Sequence, residues 1–351
     1  MINKNSYEKE ITTNKKYFNY GFAILKSLLS LLVLLAHYFN PKSTKNKIII
    51  YLSKNRKIHV PSFFILSFYF MLNNLLAKKK KIIFNRFLRL LIPYNGWAII
   101  IWLINHLMNK SNKNIKLETY KDLKYQLLWG WAYLRHLWFL WNLIAITFLF
   151  VIIIYISQNQ FFFIIHLLLI SSYVAQYSGY YLNNFIVNNP HVNKITIAVL
   201  FESIPYAVTG VTLSYYKIMD ILQKHKIKTL IISIIIYNVI VDYYIFRNIK
   251  GINYQGINLN IQSLCVVFIF SLFPSDKIRD KKISKLIIGI TKFSAGVYYL
   301  HVPVHDYLRY YFDIIKNGFF LGNIFIFLIC NIICFIGTLV FGKTPLTYLF
   351  C

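Results

Sequence analysis

AILKSLLSLLVLLAH, residues 23–37, is an apolar run interrupted by one cation, Lys26, and closed by one imidazole, His37. The two are eleven residues apart, almost three whole turns of α-helix, so their side chains share a face. They stand about 16 Å apart along the axis, about half of a bilayer's hydrocarbon core. Taken singly, Lys26 reads as a side chain that snorkels to one interface and His37 as one buried near the other. Sharing a face, they read as a site, because ionisable groups in a spanning helix usually face a bundle interior or a water-filled path.

The rest of the chain repeats this apolar texture. Of its 351 residues, 57% are hydrophobic and 14% charged, with mean hydropathy +0.51, far from an ordinary soluble domain. The pattern predicts an all-α polytopic membrane protein, about ten transmembrane helices in one bundle. The spans fall near 22–39, 59–77, 87–108, 136–156, 161–181, 195–216, 229–246, 259–274, 286–304 and 319–342. Runs of about 20 apolar residues exclude a β-barrel, whose strands alternate over about ten. The chain divides into an N-terminal segment 1–21, a membrane domain 22–342 and a short tail 343–351. With twenty-one mostly polar residues ahead of it and no small-residue cleavage site behind it, the first span is expected to stay in the mature protein.

The net charge of +28 comes from basic residues scattered among the loops. No soluble stretch is long enough to build the continuous basic face that nucleic acid needs, so no nucleic-acid partner is expected; anionic lipid headgroups and acidic ligands remain compatible. Dense clusters beside spans orient helices best. Lys78–Lys81 with Arg86 and Arg89, and the group from Lys277 to Lys285, fall on one side, which places both termini in the cytoplasm. By the same alternation Lys45 and Lys113 lie outside. Cys265, Cys330 and Cys334 fall in spans and read as small apolar packing residues. His301, His305 and Asp306 suggest a metal, but Pro303 between the histidines speaks against regular i,i+4 geometry, and no metal is expected. Trp129, Trp131, Trp138 and Trp141 around the fourth span read as an interfacial belt, with sugar stacking as the alternative.

Several short strings then occur in a familiar order. Lys26-x10-His37 resembles the Arg/Lys-x10-His signature of the acyltransferase 3 family, integral membrane enzymes that move acyl groups onto extracytoplasmic glycans. VPSFFILSFYF, residues 60–70, is similar to that family's Phe-Phe-x-x-Ser-Gly segment at Phe63, Phe64 and Ser67. Arg86-x-x-Arg89 resembles its Arg-x-x-Arg, HLWFL at 136–140 its fourth-span opening, and FSAGVYYLH at 293–301 its late segment ending Tyr-x-x-His. The likeness runs from residue 22 to about 305. Two positions depart: Phe68 stands where the family has Gly, and Ala23 lies near the place of a usual acidic residue.

The resemblance implies an O-acyltransferase in the cytoplasmic membrane of a bacterium. Its donor would be acyl-CoA, most simply acetyl-CoA, and its acceptor a cell-surface polysaccharide or lipid-linked sugar; membrane lipids surround it, and no cofactor is permanently bound. Such a transfer needs a base, and a neutral imidazole suits pH 7. His37 takes that role with Lys26 beside the donor, and Arg86 and Arg89, three apart, suit the phosphates of CoA. Ser67, His136, Tyr298 and His301 are supporting candidates. The competing reading, from a different class, is a glycan exporter on the same scaffold without acyl chemistry.

Overall fold

A computed structural model describes residues 19–40, 45–46, 56–77, 79–109, 120–129, 137–157, 160–161, 163–174, 194–246, 257–273, 281–309 and 311–351. These residues form helices α1 (Tyr20–Tyr38), α2 (His59–Leu76), α3 (Lys80–Asn109), α4 (Tyr120–Trp129) and α5 (Trp138–Ser157). Next come α6 (Phe163–Val174), α7 (Lys194–Tyr215), α8 (Ile218–Lys224), α9 (Lys226–Phe246) and α10 (Ile257–Ser271). The last are α11 (Lys281–Lys292), α12 (Ser294–Leu308), α13 (Asp313–Lys316) and α14 (Phe320–Phe341). No strand occurs among the described residues.

Among the described residues, five helices are long and apolar enough to cross a membrane: α1, α2, residues Lys80–Ile104 of α3, Trp138–Ile156 of α5, and α14. α6 and α10 are shorter apolar helices. The stretch read as one span over 286–304 is two helices that meet at Phe293. The cause is visible in α11. Lys281, Lys282, Lys285 and Lys292 fall on one side of its helical wheel, and Ile283, Leu286, Ile287 and Ile290 on the other, a pattern suited to a water–apolar boundary.

α1 sits at the centre, packed against α2, α10, α11, α12 and α14. It starts where the Asn19 side chain accepts a hydrogen bond from the Phe22 amide at 3.0 Å, satisfying a donor that the first helical turn leaves open. It ends at Tyr38, shortly before Pro41 in the sequence, which disfavours helix in the residue ahead of it. The bundle follows membrane packing rules. The buried side of α14 is Gly322, Asn323, Ile326, Cys330, Cys334 and Gly337, mostly small or polar, while Leu321, Leu328, Phe335 and Leu339 are exposed. Small residues let backbones approach where lipid offers no hydrophobic drive for association. The cysteines Cys265, Cys330 and Cys334 are free and buried.

The most extensively packed pair is α2 with α7. Gly210 makes it close, since a Cβ there would strike the Ile65 carbonyl. A backbone oxygen cannot rotate away as a side chain can. Gly210→Val is therefore expected to cost about 1–3 kcal/mol, read as an earlier midpoint in SDS titration of the purified protein. An unchanged midpoint would mean that α2 and α7 do not touch at this level. Interhelical hydrogen bonds add register: Asn142 Nδ2 to Ser203 Oγ at 3.0 Å, and Asn260 Nδ2 to the Tyr173 hydroxyl at 2.7 Å.

The segment after α14 turns back onto the bundle. A short 3-10 helix, Pro345–Leu349, lies along α3, and Trp97 Nε1 donates to the Leu349 carbonyl at 2.9 Å. Gly296 and Gly337 leave room for Phe350. Residues 345–350 are thus part of the packed body.

Candidate active site

Two clusters of polar side chains lie along α1, one at each end of its Lys26–His37 face. At the Lys26 end, the ammonium sits over the Phe70 ring of α2, 5.2 Å from its centroid. It also lies within Coulombic range of the Arg86 guanidinium from α3. α3 begins at Lys80, so Arg86 is already more than a turn inside the helix and is turned toward the bundle. Its Nη2 donates to Ser67 Oγ at 2.8 Å, its Nη1 to the Ser67 carbonyl at 3.5 Å, and its Nε to Thr147 Oγ1 at 3.3 Å.

Phe68, the residue that replaces a family glycine, is fully buried between Phe64 and Phe150. Its ring lies 5.4 Å from the Arg86 guanidinium carbon, an arrangement that favours a cation electrostatically. Among the described residues no Asp or Glu pairs with Lys26 or Arg86; the ion pairs there involve Asp306 alone. Two cations within Coulombic range of one another among neutral acceptors are costly where water is scarce.

Arg89 leaves this cluster. It is exposed, and its guanidinium covers the ring of Tyr348 at 5.5 Å. One helical turn therefore separates an inward arginine from an outward one, so the two are not joined on one side as their spacing suggested.

At the other end, the His37 ring lies 5.3 Å from that of His301 on α12. His301 is completely buried, and its Nδ1 is 2.6 Å from the Tyr298 carbonyl. A carbonyl oxygen only accepts, so Nδ1 carries a proton. Tyr298 is itself braced by Phe139, with ring centroids 5.3 Å apart. Pro303 does not interrupt α12, so His305 stays on the His301 side, one turn on. It stacks on Tyr38 at 3.5 Å and reaches Asp306 at 3.3 Å, and Asp306 meets Arg309 at 3.6 Å. Among the described residues no three His, Cys, Asp or Glu side chains converge as a metal site would require.

The fold thus joins Lys26, Arg86 and Ser67 in one place, and His37, Tyr298 and His301 in another. His136, Trp131 and Lys113 lie outside the described residues, as do residues 1–18, and nothing is described of the Trp129 side chain. Thr147, Phe70 and Tyr38 belong to these clusters without any motif to announce them; Tyr38 had the one available signal, adjacency to His37. The family model described as an acyltransferase domain matches residues 19–343, nearly the whole chain. No curated protein and no solved structure matches.

Proposed function

Because the chain belongs to the acyltransferase 3 family, whose domain it carries over residues 19–343, we propose that it moves an acyl group, most simply acetyl, from acyl-CoA to a hydroxyl of an extracytoplasmic polysaccharide or glycolipid. The observation that carries this reading is the pair of inward cations, Lys26 and Arg86, from two helices and without an acidic partner among the described residues. CoA is a polyanion on a thin neutral arm. Its phosphates suit the guanidinium fork and the ammonium, and the pantetheine arm runs along α1 toward His37.

In the transfer step the acceptor oxygen attacks the thioester carbonyl, the new C–O bond forms, and the C–S bond breaks to release CoA thiolate. His37 takes the proton of the attacking hydroxyl and passes it to the departing sulfur. His301, its Nδ1 proton directed to the Tyr298 carbonyl, holds the neighbouring position against the His37 ring. In an N-in arrangement of ten spans, the Lys26 end faces cytoplasmic acyl-CoA and the His37 end faces the outer acceptor, so the donor nucleotide need not cross. Cells with and without the protein are expected to differ in ester-linked acyl groups on a surface glycan, released by mild alkali and identified by mass spectrometry. Identical acylation with altered glycan export would support the exporter and overturn the enzyme.

A further inference from the structure

A concavity that the proposed transfer reaction does not use lies between α9 and α10. It encloses about 400 Å³, within the range of small-molecule pockets. α9 has its main contacts with α8 and α10, so it stands off the bundle and leaves a groove on its inner flank. The walls are Ile232, Ile236, Ile261, Leu264 and Phe268. Ile232 is 55% exposed and Ile236 40%, whereas Thr229, Ser233 and Cys265 are 7%, 4% and 4% exposed. The groove therefore has a closed floor and one flank open to the surroundings.

Its two ends differ in chemistry. One end is apolar. At the other stand His225 and Lys228, three residues apart and so on neighbouring positions of the same side. They are flanked by Lys224 and Lys226, and all four side chains are exposed. The nearest acidic residue in sequence, Asp220, is exposed in the first turn of α8. Gln223 Nε2 donates to the Ser271 carbonyl at the end of α10, at 3.1 Å, which pins the basic mouth at the level where that apolar helix stops. From Lys228 to Ile236 the groove runs about 12 Å along α9, long enough to take the upper part of an acyl chain when its basic mouth lies at a membrane surface.

We propose that this groove is a binding site for one anionic phospholipid, with an acyl chain between α9 and α10 and its phosphate headgroup on Lys228 and His225. A cluster of cations at headgroup depth attracts anionic lipid at about 1 kcal/mol per Lys, and the groove below supplies a fixed place for the chain. The inference does not depend on the transfer reaction.

The test is native mass spectrometry of the full chain released from detergent in the presence of equal amounts of phosphatidylglycerol and phosphatidylcholine with matched chains. One phosphatidylglycerol is expected to stay bound in preference to phosphatidylcholine. Lys228→Gln, at an exposed position, is expected to weaken that retention about fivefold. Ser233→Phe, which fills the floor, is expected to abolish retention of either lipid. Equal retention of the two lipids, or a phosphatidylglycerol adduct untouched by both substitutions, would overturn the proposal and leave an ordinary lipid-facing cleft.

Discussion

A His37→Ala protein is expected to accumulate in the membrane as the parent does and to acylate its acceptor at least about 100-fold more slowly, the usual contribution of a positioned general base. The separation of the two effects follows from burial. His37 is exposed at the end of α1, so truncation leaves no core cavity, while the ring it removes is the one set 5.3 Å from His301. Membrane content measured by immunoblot and glycan acyl content measured by mass spectrometry should therefore diverge. Full acylation by a well-accumulated variant would take His37 out of the chemistry. The base would then be sought at His301, whose Nδ1 lies against the Tyr298 carbonyl.

Arg86→Met carries the second large effect, and its sign on stability is informative. Loss of the charged hydrogen bonds to donor phosphate should weaken acetyl-CoA binding by about 1.5–3 kcal/mol, or roughly 10- to 100-fold, measured by calorimetry on the purified protein. Stability should stay level or rise, because a half-buried cation without a carboxylate is replaced by an apolar chain of similar volume. A purely structural Arg86, serving only to tie Ser67 and Thr147 across α2, α3 and α5, predicts the reverse: a lower melting temperature with donor affinity intact. Arg86→Lys should recover part of the affinity, since an ammonium cannot make the planar two-pronged contact. Arg89→Ala should matter less, because that guanidinium is exposed and lies on Tyr348.

The helical character, apolar helices able to cross a membrane and the shared face of Lys26 and His37 were legible in the sequence. Each depends on periodicity within one segment, and an α-helix fixes which of its own residues line up, whatever surrounds it. The ordered strings around Lys26, Ser67, Arg86 and His301 also pointed to the family that the domain match over residues 19–343 establishes. The break at Phe293 was harder to see, because apolar residues on both sides of it gave one long window. The amphipathic placement of the α11 lysines was the signal that hydropathy averaging concealed.

Tertiary structure alone decided what each side chain meets. Arg86 and Arg89 sit one turn apart, yet one turns to Ser67 and Thr147 and the other to Tyr348. Lys26 of α1 comes within Coulombic range of Arg86 of α3, and Tyr38 finds His305 across α1–α12. Apolar pattern cannot select these partners, because lipid tails and leucine side chains are equally apolar and give no preference for one helix neighbour over another. Register comes instead from close approaches, as at Gly210 against the Ile65 carbonyl, and from hydrogen bonds such as Asn260 to Tyr173. The sequence by itself determined a helical membrane protein with a cation and an imidazole on one face. The packing of small residues and buried polar groups determined that the cation comes within Coulombic range of a second cation and that the imidazole meets a second imidazole.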